Sequence, residues 1–144
     1  MPPIIIVTGF APFGGERINP SWEVARSLDG DTIAGLRVKS LRLPVNCVRA
    51  ADRVAVAVVH YRPRAILGLG QARGRPALSI ERIAINLFEN RNGGQLDARY
   101  DGRALIRDAP AAYFSRLPIG AILKALERRK VPASVSLSAG SYAC

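Results

Sequence analysis

Residues 4–15 read IIIVTGFAPFGG, and this stretch decides the fold. Ile4–Thr8 is a short, continuous and mostly β-branched run, which predicts a strand buried on both faces of a sheet. The glycine-rich stretch Gly9–Gly15 is predicted to be a loop. Asn19 and Pro20 then have the residue types of an N-cap and a first helical position. A buried strand that leads through a loop into a helix is typical of α/β folds.

The rest of the chain continues to alternate between strands and helices. This alternation predicts parallel crossovers, and therefore a three-layer sandwich around a mostly parallel twisted sheet. The length of 144 residues fits one α/β domain, residues 1–144. The predicted helices run from Pro20 to about Leu28, from Asn46 to about Tyr61 and from Pro118 to about Arg129. The predicted strands are Leu36–Leu43, Ala65–Leu69, the extended stretch Ala77–Asn86, and Ala133–Ser138.

Three loops are expected at one edge of this sheet. Gly9–Gly15, Gly70–Pro76 and Ala139–Cys144 each follow a predicted strand. In open α/β sheets, ligands bind beyond the carboxyl ends of the strands. The sequence therefore predicts a ligand site among these three loops.

The net charge of +10, from 21 Lys and Arg against 11 Asp and Glu, raises the question of an anionic partner. The basic residues are scattered singly, and their only run is Arg128-Arg129-Lys130. Aromatic residues do not alternate with them as they do on single-strand-binding surfaces. The pattern therefore argues against nucleic acid as a partner.

Several other classes of protein are disfavoured by composition. The longest apolar runs, such as Val54–Val59, are far too short to cross a bilayer, so no membrane contact is expected. The N-terminus has no basic segment before its apolar run and does not resemble a secretory signal. Two cysteines, Cys47 and Cys144, are too few for a disulfide scaffold. We therefore expect a reduced, cytoplasmic protein, with no metal and no other cofactor.

Two residues could carry chemistry. Cys144 follows the last predicted strand, where a thiolate could act as a nucleophile; a small buried apolar role is the alternative. Glu81 lies in a mostly apolar strand, where a carboxylate needs a partner. An ion pair with Arg82 or another arginine, or a solvated position on an edge strand, would explain it without catalysis.

The first loop contains two of the four phenylalanines, Phe10 and Phe13. They could form the apolar walls of a small-molecule pocket. Alternatively, they could fasten the loop to the core. No Gly-Lys-Ser/Thr sequence follows the glycines, so this is not a phosphate-binding loop.

Four segments together resemble the pyroglutamyl peptidases (pyrrolidone-carboxylate peptidases), a family of cysteine peptidases. They occur in the order that the family has and extend from one end of the chain to the other. The segments are Ile5–Gly15 with Asn19–Trp22; Leu67–Arg73 continuing to Glu81–Asn86; Asp108–Pro118; and Val135–Cys144. Within the last segment, Ser141 and Ala143 differ from the residues usual in the family.

The resemblance implies roles for six residues. Cys144 matches the nucleophile and Glu81 the acidic member of a Cys-His-Glu triad. Phe10 and Phe13 match residues that line the pyroglutamate pocket, and Gln71 matches a position in its wall. Arg91 falls at a usually basic position near the active site. The implied reaction is removal of an N-terminal pyroglutamyl residue from a peptide, without a cofactor.

The sequence departs from the family in its histidines. The triad histidine of the family lies downstream of the cysteine, whereas the only histidine here is His60. It is predicted at the end of a helix that runs antiparallel to the strands, at the edge opposite Cys144. We therefore expect this chain to correspond to about the N-terminal two-thirds of a family member and to be inactive by itself.

Three further expectations follow. Without its covering helix, the last strand would expose apolar surface that promotes self-association, so a homo-oligomer is one expectation. A relative that binds pyroglutamyl peptides through Phe10, Phe13 and Gln71 without cleaving them is the first alternative function. A basic module that binds nucleic acid, motivated only by the net charge, is the second.

Overall fold

The computed structural model of this protein describes residues 2–89 and 102–140. Contacts divide the chain into two compact units, the first ending at Gln71 and the second beginning at Ala72. In the first unit the elements are β1 (Ile4–Phe10), α1 (Pro20–Ser27), β2 (Thr32–Ile33), β3 (Leu36–Leu43), α2 (Cys47–Tyr61) and β4 (Ala65–Gly68). In the second they are β5 (Leu78–Glu81), β6 (Ile83–Ile85), β7 (Ala112–Phe114), α3 (Ile119–Arg128) and β8 (Ala133–Ser136).

The first unit contains a four-stranded sheet in the order β2-β3-β1-β4. β1 is parallel to both of its neighbours, β3 and β4, whereas the short β2 is antiparallel to β3. The predicted α/β architecture with mostly parallel strands is therefore confirmed. β2 was not predicted, because two exposed residues give no periodic signal.

Helices cover both faces of this sheet. Val7 and Phe10 lie three residues apart on β1, so their side chains point to opposite faces. Val7 packs in a cluster with Ala25 of α1, while Phe10 packs in a second cluster with Ala50 of α2. The first unit thus has the predicted three layers, with α1 and α2 on opposite faces.

β1 extends two residues further than predicted, through Gly9 and Phe10. A Cβ atom at Gly9 would overlap the backbone carbonyl of Ser21 at the start of α1. Glycine inside a strand often marks such a close approach of another backbone. Gly9 therefore belongs to the strand and allows α1 to pack directly against it.

The boundaries of the first two helices agree with the sequence signals. Asn19 caps α1 and Asn46 caps α2, each by accepting a backbone N–H within the first turn. Arg62 ends α2 in the left-handed conformation, at φ 46°, just before Pro63. His60 lies in the last turn, exposed, with its ring edge-to-face on Tyr61.

The sequence places Val48, Ala51, Val54, Ala55 and Val58 at helical spacing, which predicts an apolar stripe on α2, but none of these five residues is buried. The buried residues of α2 are Cys47, Ala50 and Ala57. Val56 and Val59, outside that stripe, are 70% and 77% exposed. Valines occur on every side of this helix, so spacing alone could not identify the face that packs on the sheet.

The second unit has two short strand pairs. β5 and β8 are parallel, and β6 and β7 are antiparallel. The predicted extended stretch 77–86 is divided at Arg82, whose N–H donates to Ser136 O and whose C=O accepts from Ser115 N, both at 2.8 Å. α3 precedes β8, as predicted. Among the helices of the described residues, none is long and apolar enough to cross a membrane.

Candidate active site

Two of the proposed pocket residues lie at the same edge of the first unit's sheet. Phe10 is the last residue of β1, and Gln71 follows the end of β4 by three residues. The two strands are neighbours in register, with Thr8 beside Gly68, and Leu69 N–H donates to Thr8 O at 3.0 Å. This is the carboxyl edge, where the sequence predicts the ligand site.

The phenylalanines of the first loop have different environments. The Phe10 side chain is buried and packs with Leu43 and Ala50 in the core. Phe13 is 37% exposed in the loop that follows. Phe10 is therefore anchored in the core at the end of β1, whereas Phe13 offers an aromatic surface outside the core.

A buried hydrogen-bond network fixes the backbone at Phe10 and Ala11. Phe10 N–H donates to Ser21 Oγ at 3.0 Å, and the Ser21 hydroxyl donates to Asn19 Oδ1 at 2.8 Å. Asn19 Nδ2 in turn donates to Ala11 O at 3.2 Å. The sequence identified Asn19 only as a helix cap and gave no signal for Ser21. The network connects the start of α1 to Phe10, a candidate pocket residue, and to the adjacent Ala11.

Gln71 contributes an unusual polar atom to this edge. Its side-chain Oε1 is buried and, within the part of the chain that the structure describes, accepts no hydrogen bond. Buried acceptors without a partner are rare in folded proteins, because desolvation then goes uncompensated. Such an atom is suited to accept an N–H from a bound ligand.

Glu81 is held by an arginine in the second unit. It is the last residue of β5, opposite Ser136 of β8 in the parallel register. Arg75 Nη1 donates to Glu81 Oε1 at 3.0 Å, with about one third of each side chain exposed. The expected ion pair is therefore present. Its partner is Arg75, from the loop before β5, rather than the adjacent Arg82.

The two carboxylate oxygens of Glu81 differ in their surroundings. Oε1 is bonded to Arg75, whereas Oε2 is buried and has no hydrogen-bond partner among the described residues. A carboxylate oxygen that is shielded from water and still has its lone pairs is suited to accept an N–H from an imidazole. This geometry is compatible with a triad acid.

Two of the predicted site residues, Arg91 and Cys144, lie outside the described residues. Cys47, the other cysteine, is buried at the start of α2, and burial raises the pKa of its thiol. His60 lies in the last turn of α2, at the edge where the strands of the first unit begin. Phe10 and Gln71 lie at the opposite edge of that sheet.

Comparison with known proteins identifies the family. The family model described as pyroglutamyl peptidase matches residues 4–144. A pyrrolidone-carboxylate peptidase of Chromobacterium violaceum is 44% identical over 97% of this chain and 67% of its own length. One from Yersinia pestis is 41% identical over 97% of this chain and 65% of its own length. The chain belongs to the pyroglutamyl peptidase family.

Solved structures of the pyroglutamyl peptidase family have the same fold. Pyroglutamyl peptidase I of Bacillus amyloliquefaciens superposes with a TM-score of 0.90 at 35% identity, over 100% of this chain and 69% of that one. The Pyrococcus furiosus pyrrolidone carboxyl peptidase gives 0.88 at 40% identity, over 97% and 67%. The chain spans about two thirds of the length of its curated pyroglutamyl peptidase relatives.

Proposed function

We propose that this chain supplies the substrate pocket, acid and nucleophile of a cysteine exopeptidase that removes N-terminal pyroglutamate from peptides. The observation that carries this proposal is membership of the pyroglutamyl peptidase family over residues 4–144, a range that includes Glu81 and Cys144. Cys144 acts as the nucleophile and Glu81 as the acid of the triad. The substrate-binding residues are Phe10, Phe13, Gln71 and Arg91.

The chemistry of pyroglutamate suits the first unit's carboxyl edge. Its five-membered lactam is compact and uncharged, so it fits beside an aromatic ring such as that of Phe13. The lactam N–H needs an acceptor when water is excluded, and Gln71 Oε1, which accepts no hydrogen bond from the described residues, is available for it. A free α-amino group would instead bring an ammonium charge to this site, where its desolvation would be unfavourable.

The proposed reaction proceeds through an acyl-enzyme. The Cys144 thiolate attacks the carbonyl carbon of the pyroglutamyl residue, and the peptide amine leaves after it takes a proton from the histidine. Water, activated by the same histidine, then hydrolyses the thioester and releases pyroglutamate. Glu81 accepts the second imidazole N–H through Oε2, which orients the ring and stabilises its charged form.

His60 does not suit the role of that histidine. Within the first unit it lies at the edge where the strands begin, whereas Phe10 and Gln71 lie where strands end. A strand of about five residues spans about 17 Å, which an imidazole side chain cannot bridge. We infer that the triad needs a histidine that is not among these 144 residues.

The test of substrate class uses an extended chain, in which Cys144 is followed by the segment that succeeds its counterpart in the Chromobacterium violaceum relative. We expect this extended chain to hydrolyse a fluorogenic pyroglutamyl amide at least 100-fold faster than the matching prolyl amide. Phe13→Ala should raise KM for the pyroglutamyl amide more than it lowers kcat. Equal rates on both amides would contradict the proposal, and tight binding without hydrolysis would indicate a non-catalytic binding relative instead.

We also propose that residues 1–144 form part of a single peptidase domain located in the cytoplasm. A free, buried Cys47 supports a reducing compartment. The exposed valines of α2, Val56 and Val59, support self-association into a homo-oligomer. A single domain should give one unfolding transition in urea. A homo-oligomer should give a molecular mass above 15.5 kDa by light scattering.

A further inference from the structure

Arg75 reaches Glu81 from a tight turn that precedes β5. Arg75 N–H donates to Ala72 O at 3.4 Å, and Gly74 has φ 80°, a conformation that glycine adopts without strain. The turn places the arginine beside the strand pair β5 and β8.

One nitrogen of the guanidinium group contacts both strands. Arg75 Nη1 lies 3.0 Å from Glu81 Oε1 and 3.5 Å from Ser136 Oγ. Glu81 and Ser136 are register partners on the parallel strands β5 and β8. The arginine therefore joins the carboxylate to the strand beside it.

Further hydrogen bonds follow Ser136 along the chain, in the direction of Cys144. The Ser136 hydroxyl donates to Ser138 O at 3.1 Å, and Gly140 N–H donates to Ser138 Oγ at 3.0 Å. These bonds order the segment that follows β8 as far as Gly140. Cys144 lies only four residues beyond.

We propose that Arg75 is a positioning residue of the peptidase site, holding Glu81 Oε1 so that Oε2 is the oxygen that receives the imidazole N–H. The proposal rests on the proposed function, in which Glu81 is the triad acid. Through Ser136, the same guanidinium nitrogen fixes the carboxylate relative to the strand that leads to Cys144.

The physical reason lies in the freedom of a carboxylate. The terminal torsion of a glutamate is broad, so an unrestrained group would present either oxygen at varying angles. A charge-assisted hydrogen bond to one oxygen fixes the plane of the group and leaves the other oxygen free. Because the pair is partly exposed, it contributes little to folding stability, and its main effect is on orientation.

The test compares variants of the extended chain on the pyroglutamyl amide. Arg75→Met should lower kcat by about tenfold to hundredfold, as is typical of residues that orient a functional ligand, while KM changes less than twofold. Arg75→Lys should recover most of kcat, because an ammonium can still donate to Oε1. Ser136→Ala should lower kcat by a smaller factor. Arg82→Met, which removes the same charge one residue from Glu81, is the matched control and should keep the parent kcat.

Melting temperatures should stay within about 4 °C of the parent, because a partly exposed ion pair adds little stability. Should Arg75→Met fail to fold, Arg75→Lys and Arg75→Gln carry the comparison. If Glu81→Gln abolishes turnover but Arg75→Met keeps the parent kcat, Arg75 has no positioning role. If Glu81→Gln itself is fully active, the proposed function fails, and this inference fails with it.

The 144-residue chain allows a test that does not depend on activity. The guanidinium N–H signals of Arg75 should exchange more slowly than those of Arg82 in ¹⁵N NMR spectra. Glu81→Gln should remove the difference. Equal exchange at Arg75 and Arg82 in the parent chain would show that the contact is not held, and would overturn the inference.

Discussion

Asn19 accepts two hydrogen bonds from Ser21, one from its backbone N–H at 3.0 Å and one from its hydroxyl at 2.8 Å. The Ser21 hydroxyl also receives Phe10 N–H, and Asn19 donates to Ala11 O. Both side chains are buried, so water cannot replace these bonds. The cap of α1 therefore also holds the backbone at Phe10, a residue of the candidate pocket.

Replacement of Asn19 should lower the stability of the fold more than loss of an ordinary helix cap does. Asn19→Ala removes the cap of α1 and leaves Ala11 O without its donor, so we expect the free energy of unfolding to fall by about 2–3 kcal/mol. Asn46→Ala, which removes the cap of α2, is the matched control and should lower it by about 1 kcal/mol. Urea unfolding measures both. Equal losses would mean that the network adds nothing beyond capping.

Gly9 should tolerate no side chain, whereas Gly68, a glycine of another strand, should tolerate one. A Cβ at position 9 would overlap the Ser21 backbone, which cannot move without displacing α1, so Gly9→Ala should destabilise by about 3 kcal/mol or more. At Gly68, on the neighbouring strand β4, the nearest atom to a Cβ would be Thr8 Oγ1 at 3.7 Å, an ordinary contact. Gly68→Ala should therefore change stability by about 0.5 kcal/mol or less. Similar effects at both positions, measured by thermal unfolding, would contradict this account of Gly9.

Asp29 should make the folded state sensitive to acid. Ser40 N–H donates to Asp29 Oδ1 at 2.6 Å, and this bond, assisted by Lys39, holds the pKa of Asp29 below its ordinary value of 3.8. A lowered pKa in the folded state means that the contribution is complete above about pH 4 and is lost as the pH falls through the lowered value. Asp29→Asn should flatten the decline of stability below about pH 4.

The control for acid sensitivity is Asp52→Asn, which removes an exposed carboxylate on α2. Urea midpoints measured between about pH 2 and pH 6 provide the comparison. If the stability of Asp29→Asn declines at low pH as steeply as that of the parent chain, the bond to Ser40 does not contribute to acid sensitivity.

Cys47 should react very slowly with thiol-labelling reagents in the folded protein. Its side chain is buried, and burial raises the pKa of the thiol, so little thiolate is present at neutral pH. Iodoacetamide at pH 7.5 should therefore modify the Cys144→Ala variant at least tenfold more slowly than it modifies the same variant unfolded in urea. Mass spectrometry measures both rates. Rapid labelling of folded Cys144→Ala would contradict the burial of Cys47.

Much of the fold was predictable because its signals are local. The cap Asn19 and the β-branched run of β1 each act within a few residues, and α1 and β1 begin where these signals predict. Predictions were wrong where tertiary contacts decide. Gly9 and Phe10 belong to a strand because α1 packs against Gly9, and the buried face of α2 is set by the sheet beneath it.

The candidate site was predictable only in part. Family motifs identified Glu81, and the apolar strand around it indicated an ion pair. The partner could not be chosen from sequence, because Arg73, Arg75 and Arg82 all lie within eight residues of Glu81. Only the turn at Gly74 and the pairing of β5 with β8 bring Arg75 to the carboxylate. The roles of Ser21 and Ser136 were missed for the same reason, since serine alone gives no signal of its partners.

Glu81 and Cys144 are proposed as two members of a peptidase triad whose histidine is not among these 144 residues. Fluorophore release from a pyroglutamyl amide tests this claim most directly, measured side by side for the 144-residue chain and the extended chain. Cys144→Ala of each serves as its blank. We predict turnover by the extended chain alone, lost in both Cys144→Ala and Glu81→Gln. Turnover above its blank by the 144-residue chain, or none by the extended chain, would contradict the claim.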